Sequence, residues 1–596
     1  MAISQERNLT DALERLDAEA KKAKNKLGDY NDRVDENLKQ FRGTGQWKMK
    51  GRSPHFLYNV IGENIENKVG KLSEVQARAR VLALKNGLGG VANVLKKTTD
   101  SIWVESHVLS KLERVAHFGA LMGVGAVQVI FNSDLRYGDG DIDIVIRDPR
   151  LVRVDPAVAD PSEIGRKAEY CIIDEMQPLS VVRAMYAGRG ADVVPDSRYS
   201  AYQNTDKTTA GRIKTAQENV TGRGRPNIGL AIPRACLSTY WVKDRRKSAK
   251  DKGQFSILDG LTEIAPGDGA PFPAGRRIVT GKTKNGIVVL EDTYNEYWDG
   301  EWDLELLSWN VDVESVWGSD DVQRQIKLQE AINRAGDAYI GNLLKNAIIR
   351  WMITRGAMDP TEAKKFAEEG AEIVFVNPGR EAKQEVPQPL PAEVLNLIPM
   401  LIELTKRNVG VLDPQLQKQM PSIVTGPAIE GLQLAVEGAI RTAARRMEEF
   451  VQRIGQKIIS RIFQYMTSDR IFHLVGDSGE WREFEFKRVE LLMTVDSKTE
   501  KPRPRTIEEL QKAHRDFRFA VEPGSSLAVT KVQRAMMKFE LFKVGGMRLA
   551  KIMEELGIDN PEEEMEKAQE EKKKYGLGMD EGDGRKKQAS LGGSPL

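Results

Sequence analysis

The feature that most limits how this chain can fold is a stretch of more than thirty residues without proline. It begins at Ser319 and reaches Trp351 as SDDVQRQIKLQEAINRAGDAYIGNLLKNAIIRW. Apolar residues recur along one helical face: Leu328, Ile332, Ala335, Tyr339, Leu343 and Ala347. Charged residues follow another face: Arg324, Lys327, Glu330, Arg334, Asp337 and Lys345. We predict a helix over 319–353, on the order of 50 Å long, with the helical pattern continuing to about 369. Such a helix packs on its neighbours along one stripe and presents alternating charge along the other.

A second long helix is predicted over 427–467. Its apolar seam consists of Ile429, Leu432, Val436, Ile440, Ala443, Met447, Phe450, Ile454, Ile458 and Ile462. Gly431, Gly438 and Gly455 lie inside it, and each costs up to about 1 kcal/mol relative to alanine. A kink or a close crossing by a neighbouring helix would explain these glycines.

The N-terminal region also has a helical seam, at steps of mostly three and four residues. Its members are Leu9, Leu13, Leu16, Ala20, Ala23, Leu27, Tyr30, Val34, Leu38 and Phe41. This pattern predicts one long helix, ended by Gly43 and Gly45, that packs on its own domain rather than in an intermolecular coiled coil. The pattern stays helical from about 54 to 130 and then changes to strands at VQVIF, DIDIVI and LVRV.

The middle of the chain is predicted to be an exposed loop followed by strands. Residues 187–230 are rich in Gly, Asp, Thr, Asn and Arg. A small β-rich unit follows over 236–312, where Asn285-Gly286 favours a tight hairpin turn. Further strands are predicted at 372–376, 484–495 and 517–521, a capping box at Thr506 and Glu509, and a disordered tail after Tyr575. The fold class predicted is α+β, mainly helical.

Charge and cysteine content exclude several classes of protein. The 89 basic and 87 acidic residues nearly cancel, so any contact with DNA must come from local placement or from repetition of the subunit. Two cysteines and five histidines build neither a disulfide framework nor a zinc cluster. The apolar run at 119–131 is shorter than the roughly 20 residues of a spanning helix. We expect a soluble intracellular product without a membrane anchor or a cofactor.

Two segments resemble enzyme motifs. The segment GRRIVTGKT at 275–283 has its first glycine one position too early for a P-loop, and a hairpin strand follows instead of a helix. Asp139, Asp141 and Asp143 alternate along a predicted strand, as in metal-dependent nucleotidyltransferases or nucleases. The upstream Gly-Ser turn of the transferases is missing, and a turn followed by a half-exposed strand explains these carboxylates more simply. This enzyme class stays open as the alternative function.

Several segments, in order, resemble the portal protein of tailed double-stranded DNA bacteriophages. The start of the family's stem helix is similar to VESVWGSDDVQRQIKLQEAINR. The family's later loop and kinked helix are similar to RNVGVLDPQ and TGPAIEGLQLAVEGAIRTA. RDPRLVRVDPAVADPSEIGRKAEYCIIDE resembles the β-rich wing, and FAVEPGSSLAVTKVQRAMMKFELF the C-terminal strand and helix. The resemblance extends over about 120–570. It implies a structural protein rather than an enzyme.

The resemblance implies a closed ring, usually a dodecamer, at one capsid vertex. The domains expected are an N-terminal helix and first part of the wing (1–232), a clip with a descending stem segment (233–318), and the stem helix (319–353). The rest is the second part of the wing (354–500), a wing end with crown helices (501–575) and the tail (576–596). Expected partners are the major capsid and scaffolding proteins, the terminase large subunit, head-to-tail adaptors and double-stranded DNA. Assembly in the host cytoplasm and residence in the virion are expected.

The resemblance also implies sites. A tunnel loop at 408–425 would present Gln415, Gln417, Lys418 and Gln419 to DNA, although 377–391 is a rival position and an ordinary connecting loop a further alternative. The clip hairpin, with Arg276, Arg277, Lys282 and Lys284, is the expected docking region. A different virion ring, such as an adaptor, also remains an alternative, although adaptors are normally much shorter.

Overall fold

The chain is described here from a computed structural model. The residues described are 2–25, 29–44, 46, 56–73, 79–196, 233–243, 275–347, 349–354, 359, 361, 364–365, 371–376, 383–385, 392–410, 438–475, 481–495 and 502–521. Two units can be distinguished, one comprising 1–469 with 487–526 and the other 470–486 with 527–596. Both helices and sheets occur, which agrees with the predicted α+β class.

The N-terminal seam forms two helices instead of one, α1 (Ala2–Lys24) and α2 (Tyr30–Phe41). Asp29 caps α2 by accepting the backbone N–H of Asn31 at 3.0 Å. Leu9, Leu13 and Ala20 of α1 are buried against a β-sheet that includes Tyr170, Ile172, Tyr240 and Ile278. The prediction of packing on the chain's own domain is confirmed, whereas the prediction of one uninterrupted helix is wrong.

The helices α3 (Val60–Ser73), α4 (Gly89–Glu105) and α5 (Val108–Met122) confirm the predicted helical region. Strand β1 (Ala79–Ala83) interrupts it and pairs antiparallel with the last described strand, β17 (Phe517–Val521). No local sequence pattern predicts β1, because the strand that pairs with it is more than four hundred residues away in the sequence.

A three-stranded sheet follows α5. It consists of β2 (Val124–Asn132), β3 (Asp141–Arg147) and a strand from much later in the chain, in the order β3-β2-β9. Strands β2 and β3 match the sequence prediction. Gly123 ends α5 with φ +85°, a conformation that favours glycine, and a Cβ there would lie 2.7 Å from the Trp317 carbonyl oxygen.

A five-stranded antiparallel sheet contains the predicted hairpin. Its strands, in spatial order, are β4 (Val152–Val154), β5 (Tyr170–Pro178), β6 (Arg234–Lys243), β7 (Gly275–Thr283) and β8 (Gly286–Tyr294). The short helices α6 (Ile164–Lys167) and α7 (Leu179–Met185) flank β5. The strand β9 (Leu304–Ser308) pairs with β2 instead. The strands within 236–312 thus belong to two sheets, and the predicted boundary at 232/233 falls just before β6 of a sheet that already includes β4 and β5.

The proline-free stretch forms helix α8 (Ile326–Ala347) and then strand β10 (Ile349–Thr354). Twenty-two helical residues span about 33 Å, so the predicted extension of this helix to 353 is wrong, and most of the predicted helical pattern over 355–369 lies outside the described residues. The segment IRWMIT is rich in β-branched and aromatic residues and pairs in parallel with β11 (Ala371–Val376), while β12 (Lys383–Glu385) pairs on its other side. Strand β11 confirms the prediction at 372–376.

Two helices follow, α9 (Ala392–Val409) and α10 (Gly438–Tyr465). The described part of the predicted seam is buried in α10: Ile440, Ala443, Met447, Phe450, Ile454, Ile458 and Ile462. The beginning of the predicted helix, with Gly431, lies outside the described residues.

The C-terminal described elements are short. A hairpin of β13 (Arg470–Val475) and β14 (Trp481–Phe486) belongs to the second unit, and Phe472 packs on Phe486 within it. Helix α11 (Arg488–Leu492) interrupts what was predicted as one strand over 484–495, and β15 (Met493–Val495) pairs with β16 (Pro502–Pro504). Helix α12 (Ile507–Gln511) begins with the predicted capping box of Thr506 and Glu509. The predicted tail after Tyr575 lies outside the described residues.

Candidate functional site

The buried face of helix α8 is polar, contrary to the predicted apolar stripe. Its fully buried side chains include Gln329, Asn333 and Asp337, and Gln325, the residue directly before the helix, is also fully buried. Among the members of the predicted apolar face whose burial the structure describes, Ile332 alone is fully buried, and Leu343 is 48% exposed. Asp337, predicted on the charged surface, is 1% exposed.

These amides hold α8 against the N-terminal helices through hydrogen bonds. The Gln329 Oε1 accepts the backbone N–H groups of Val60 at 2.9 Å and Ile61 at 3.2 Å. Val60 and Ile61 are the first residues of α3, whose N–H groups have no partner within their own helix. Asn333 accepts the N–H of Tyr58 at 3.0 Å, and Gln325 accepts the Asn64 side chain at 2.8 Å. A side chain of α8 therefore caps another helix.

The segment before α8 is anchored by a buried acid. Asp321 accepts from the ammonium of Lys68 at 2.7 Å, the indole N–H of Trp309 at 2.6 Å and the amide of Asn310 at 2.9 Å. Asp321 and Lys68 are both almost inaccessible to solvent. Such a pair needs further hydrogen bonds to offset the cost of burial, and Trp309 and Asn310 supply them to Asp321.

Trp317 lies in a second buried cluster at this point. Its ring is 5.6 Å from that of Tyr30, and the Lys24 ammonium lies 4.1 Å from its centroid. Lys24 donates to the carbonyls of Pro149 and Val152, the latter at 2.7 Å. Burial, and then the nearby Arg153, lower the pKa of Lys24 well below its ordinary value.

The tryptophans of this region belong to the core. Trp241, Trp302, Trp309 and Trp317 are buried, and Trp298 is partly buried. Because these rings are enclosed, their faces do not form a platform for stacking bases.

The exposed face of α8 is basic where the structure describes it. Arg324, Lys327 and Arg334 are exposed, and only Arg334 forms an ion pair along the helix, with Glu330 at 2.7 Å. Arg324 donates to the Ser319 hydroxyl at 2.9 Å. The side chain of Lys345 lies outside the described residues.

The C-terminal end of α9 lies beside the start of this face. The Asn408 amide donates to the Arg324 carbonyl at 2.8 Å. Arg407 is exposed and forms an ion pair with Glu403, and Lys406 forms one with Glu63 at 3.1 Å. We call Arg324, Lys327, Arg334 and Arg407 the basic face. Its four cations are accompanied by two carboxylates, those of Glu330 and Glu403.

A half-buried arginine lies near the basic face. Arg446 of α10 donates to the Trp309 carbonyl. Burial lowers its pKa, and the positive charge of Arg324 also acts in that direction. Asn408 is the first residue of the predicted tunnel loop, so two elements predicted separately from the sequence lie in contact. Gln415, Gln417, Lys418 and Gln419 lie outside the described residues, as does the rival loop position at 377–391 apart from strand β12 (Lys383–Glu385).

The basic residues of the hairpin are largely neutralised within the chain. Arg276 pairs with Asp292, Arg277 with Glu291 at 3.3 Å, and Lys282 with Asp196 at 2.6 Å. Lys284, at the hairpin turn, is exposed and has no ion pair with any described residue. Three of the four hairpin cations are therefore paired with cross-strand or loop carboxylates, and the role of this hairpin as a docking region stays a prediction.

The two enzyme motifs take structural roles. GRRIVTGKT is strand β7, and the next described element is strand β8 rather than a helix. Asp141 pairs with Arg136, and Asp143 with Lys111 at 3.2 Å, whereas Asp139 is exposed at the preceding turn. Within the ranges given above, no three His, Cys, Asp or Glu residues are grouped as metal ligands.

In the part of the chain that the structure describes, no helix has the length and apolar character needed to cross a bilayer.

Comparison with known families gives a match to the C-terminal part of the chain. The model of the phage P22-like portal protein family matches residues 322–589. The match begins in the turn that leads into α8 and includes α9, α10 and the C-terminal elements. No curated protein matches the chain. The family match supports a phage portal protein with a structural role, and nothing supports the metal-dependent nucleotidyltransferase alternative.

Sequence reasoning missed the buried polar face of α8, although a signal was present. Gln325, Gln329 and Asn333 recur every four residues, a spacing that places them on one helical face. Their burial depends on the unsatisfied N–H groups at the start of α3, which no sequence pattern reveals.

Proposed function

We propose that the chain forms a closed ring, most simply a dodecamer, at one vertex of a phage capsid, and that double-stranded DNA passes through its axial channel. In this proposal 319–353 supplies the stem, 233–318 the clip, 1–232 and 354–500 the wing, and 501–575 the wing end and crown. The clip docks the terminase large subunit during packaging and the head-to-tail adaptors afterwards. Capsid and scaffolding proteins contact the wing during assembly in the host cytoplasm.

The contact between Asn408 and the Arg324 carbonyl, at 2.8 Å, is the observation that best supports this proposal. It joins the basic face of α8 to the first residue of the predicted tunnel loop. A DNA channel requires both elements on the same side of the subunit.

The modest charge of the basic face suits a conduit. Each phosphate neutralised by a cation strengthens binding and its salt dependence. A face with two carboxylates among four cations attracts the duplex without fixing it in one position. Repetition around a ring extends this weak attraction around the whole duplex.

Negative-stain imaging of the purified full-length protein tests the ring. We expect circular particles with an axial hole over a range of salt concentrations. Monomers or dimers under all conditions would contradict the proposal. Rings that form without any affinity for capsid or terminase proteins would instead favour another virion ring, such as an adaptor.

A further inference from the structure

A cleft lies between helix α5 and the edge of the sheet β3-β2-β9. Its volume is about 450 Å³. Helix α5 contributes Ser110, Lys111 and Arg114, its N-cap residue His107 lies beside them, and the strand contributes residues 143–146 of β3. Ser110, Lys111 and Arg114 are spaced i, i+1 and i+4, so they lie on one face of α5 opposite the strand. None of them belongs to the basic face described above.

Strand β3 is an edge strand. Within the described part of the chain it pairs only with β2, from Asp141 opposite Asn132 to Arg147 opposite Ala126. Alternate residues of an edge strand direct their backbone N–H and C=O groups away from the sheet, and these groups can pair with another strand. For residues 143–146 no described side chain or loop binds those backbone groups.

The opposite edge of the same sheet is covered. The carbonyls of Trp302 and Leu304 accept from the Lys457 ammonium, and the carbonyl of Leu306 accepts from Arg453 at 2.8 Å. These alternate carbonyls thus take their donors from α10 instead of from another strand. Edges that are not protected in this way are the ones available for strand addition. The contrast identifies β3 as the available edge.

The cleft is positively charged. Lys111 forms an ion pair with Asp143 at 3.2 Å across it. Arg114 is exposed, has no ion pair with any described residue and lies 5.8 Å from the ring of Phe118. One unpaired cation therefore remains beside the edge strand, and His107 and Ser110 add polar groups near the N-terminal end of α5.

We propose that this cleft binds an extended, acidic peptide segment of a partner protein, which adds to the sheet as a strand beside β3. The backbone of β3 pairs with the peptide backbone. A glutamate or aspartate of the peptide pairs with Arg114, and its alternate side chains lie over the α5 face. An edge strand matches a peptide backbone and not a nucleic-acid backbone. The proposal does not depend on the portal role.

Three end-blocked octapeptides test the proposal. In each of them valine alternates with a second residue, which is Glu in the first peptide, Gln in the second and Lys in the third. Binding to the full-length assembled protein is measured by fluorescence anisotropy. We expect the Glu peptide to bind about ten-fold more tightly than the Gln peptide, and the Lys peptide to bind least. Arg114→Glu should weaken binding of the Glu peptide by a similar factor. Lys96→Glu makes the same charge change on the exposed surface of α4 and should have little effect.

Two further measurements separate strand addition from simple charge attraction. Hydrogen exchange of residues 141–147 should slow when the Glu peptide is bound. Peptides N-methylated at either the odd or the even amides should differ, because only one set pairs with β3. Equal binding by both methylated peptides, or unchanged exchange at 141–147, overturns strand addition.

Other outcomes also overturn the proposal. If the Glu peptide does not bind, or if all three peptides bind equally, the proposal that the cleft binds an acidic segment is contradicted. If residues 141–147 are already protected from hydrogen exchange in the assembled protein before peptide is added, the cleft is occupied by a second copy of this chain. Displacement of the Glu peptide by a short DNA duplex assigns it to nucleic acid.

Discussion

Arg153 illustrates how single buried charges position the elements of this subunit. Its guanidinium donates to both carboxylate oxygens of Asp174, at 2.8 and 2.7 Å, and forms an ion pair with Asp17 of α1 at 2.6 Å. Ser238 donates to the same Asp174 carboxylate at 2.7 Å. One cation therefore fixes helix α1 to strands β4, β5 and β6. Lys24 and Asp321 act in the same manner at other junctions.

The stability contributed by Asp174 should depend on pH. Burial acts to raise its pKa, but the charge and hydrogen bonds of Arg153, followed by the Ser238 hydrogen bond, lower it below the ordinary 3.8. A carboxyl with a lowered folded pKa adds stability above its unfolded pKa and loses it as pH falls through the folded pKa. Asp174→Asn should cost about 3–5 kcal/mol at neutral pH, and this difference should shrink below the unfolded pKa.

Denaturant unfolding of both proteins across this pH range provides the measurement. Asp139→Asn is the matched control, because Asp139 is exposed at a turn, and its effect should stay small at every pH. A cost for Asp174→Asn that is the same in acid and at neutral pH would rule out the ion pair as its source.

Helix α10 contains a glycine that indicated a close neighbour in the sequence analysis without showing which residue that neighbour is. Gly455 interrupts the apolar seam of α10, and a Cβ at this position would lie 2.3 Å from the ring of Phe519 in β17. The sequence suggested a kink or a helix crossing. The close neighbour is instead an aromatic side chain of a strand, and it could be found only once β17 was placed on α10.

Gly455→Ala should therefore destabilise the subunit by about 1–3 kcal/mol, since either Phe519 or the helix must move. Gly70→Ala is the matched control within helix α3, where a Cβ would meet nothing within 4 Å. That substitution should be neutral or stabilise by roughly 0.5–1 kcal/mol, because alanine is the better helix former. Thermal unfolding of the two variants compares them directly, and equal shifts would contradict the close contact.

The whole molecule combines a near-neutral chain with a local basic face. With 89 basic and 87 acidic residues, overall charge provides little attraction for DNA. In the proposed ring, the four cations of the basic face are repeated in every subunit. A substitution that changes the charge of this face therefore changes the charge of the channel wall once for every subunit in the ring.

Charge reversal on this face should affect DNA without affecting assembly. Lys327 is exposed, so Lys327→Glu should leave the fold and the ring intact and reduce the yield of DNA-filled particles about ten-fold. Lys418→Glu in the predicted tunnel loop should act in the same direction. Particle yield and DNA content per particle are the measurements, with Lys96→Glu as the control. If both variants have wild-type DNA content, the assignment of Lys327 and Lys418 to the DNA channel is contradicted.

The sequence by itself determined the local elements and the class of protein. Periodicity located α10 and most of α8, Asn285-Gly286 located the hairpin, and Thr506 with Glu509 located a helix start, because each depends on residues close together in the chain. The ordered motifs from about 120 to 570 indicated a portal protein, and the family match over 322–589 agrees.

Only the tertiary structure decided which faces are buried and which charges remain available. Polar residues of α8 face inward because the start of α3 needs acceptors for Val60 and Ile61. Three hairpin cations are neutralised because carboxylates lie opposite them. β1 is a strand because β17 lies beside it. Each outcome depends on a partner far away in sequence, whose proximity arises only when the chain folds.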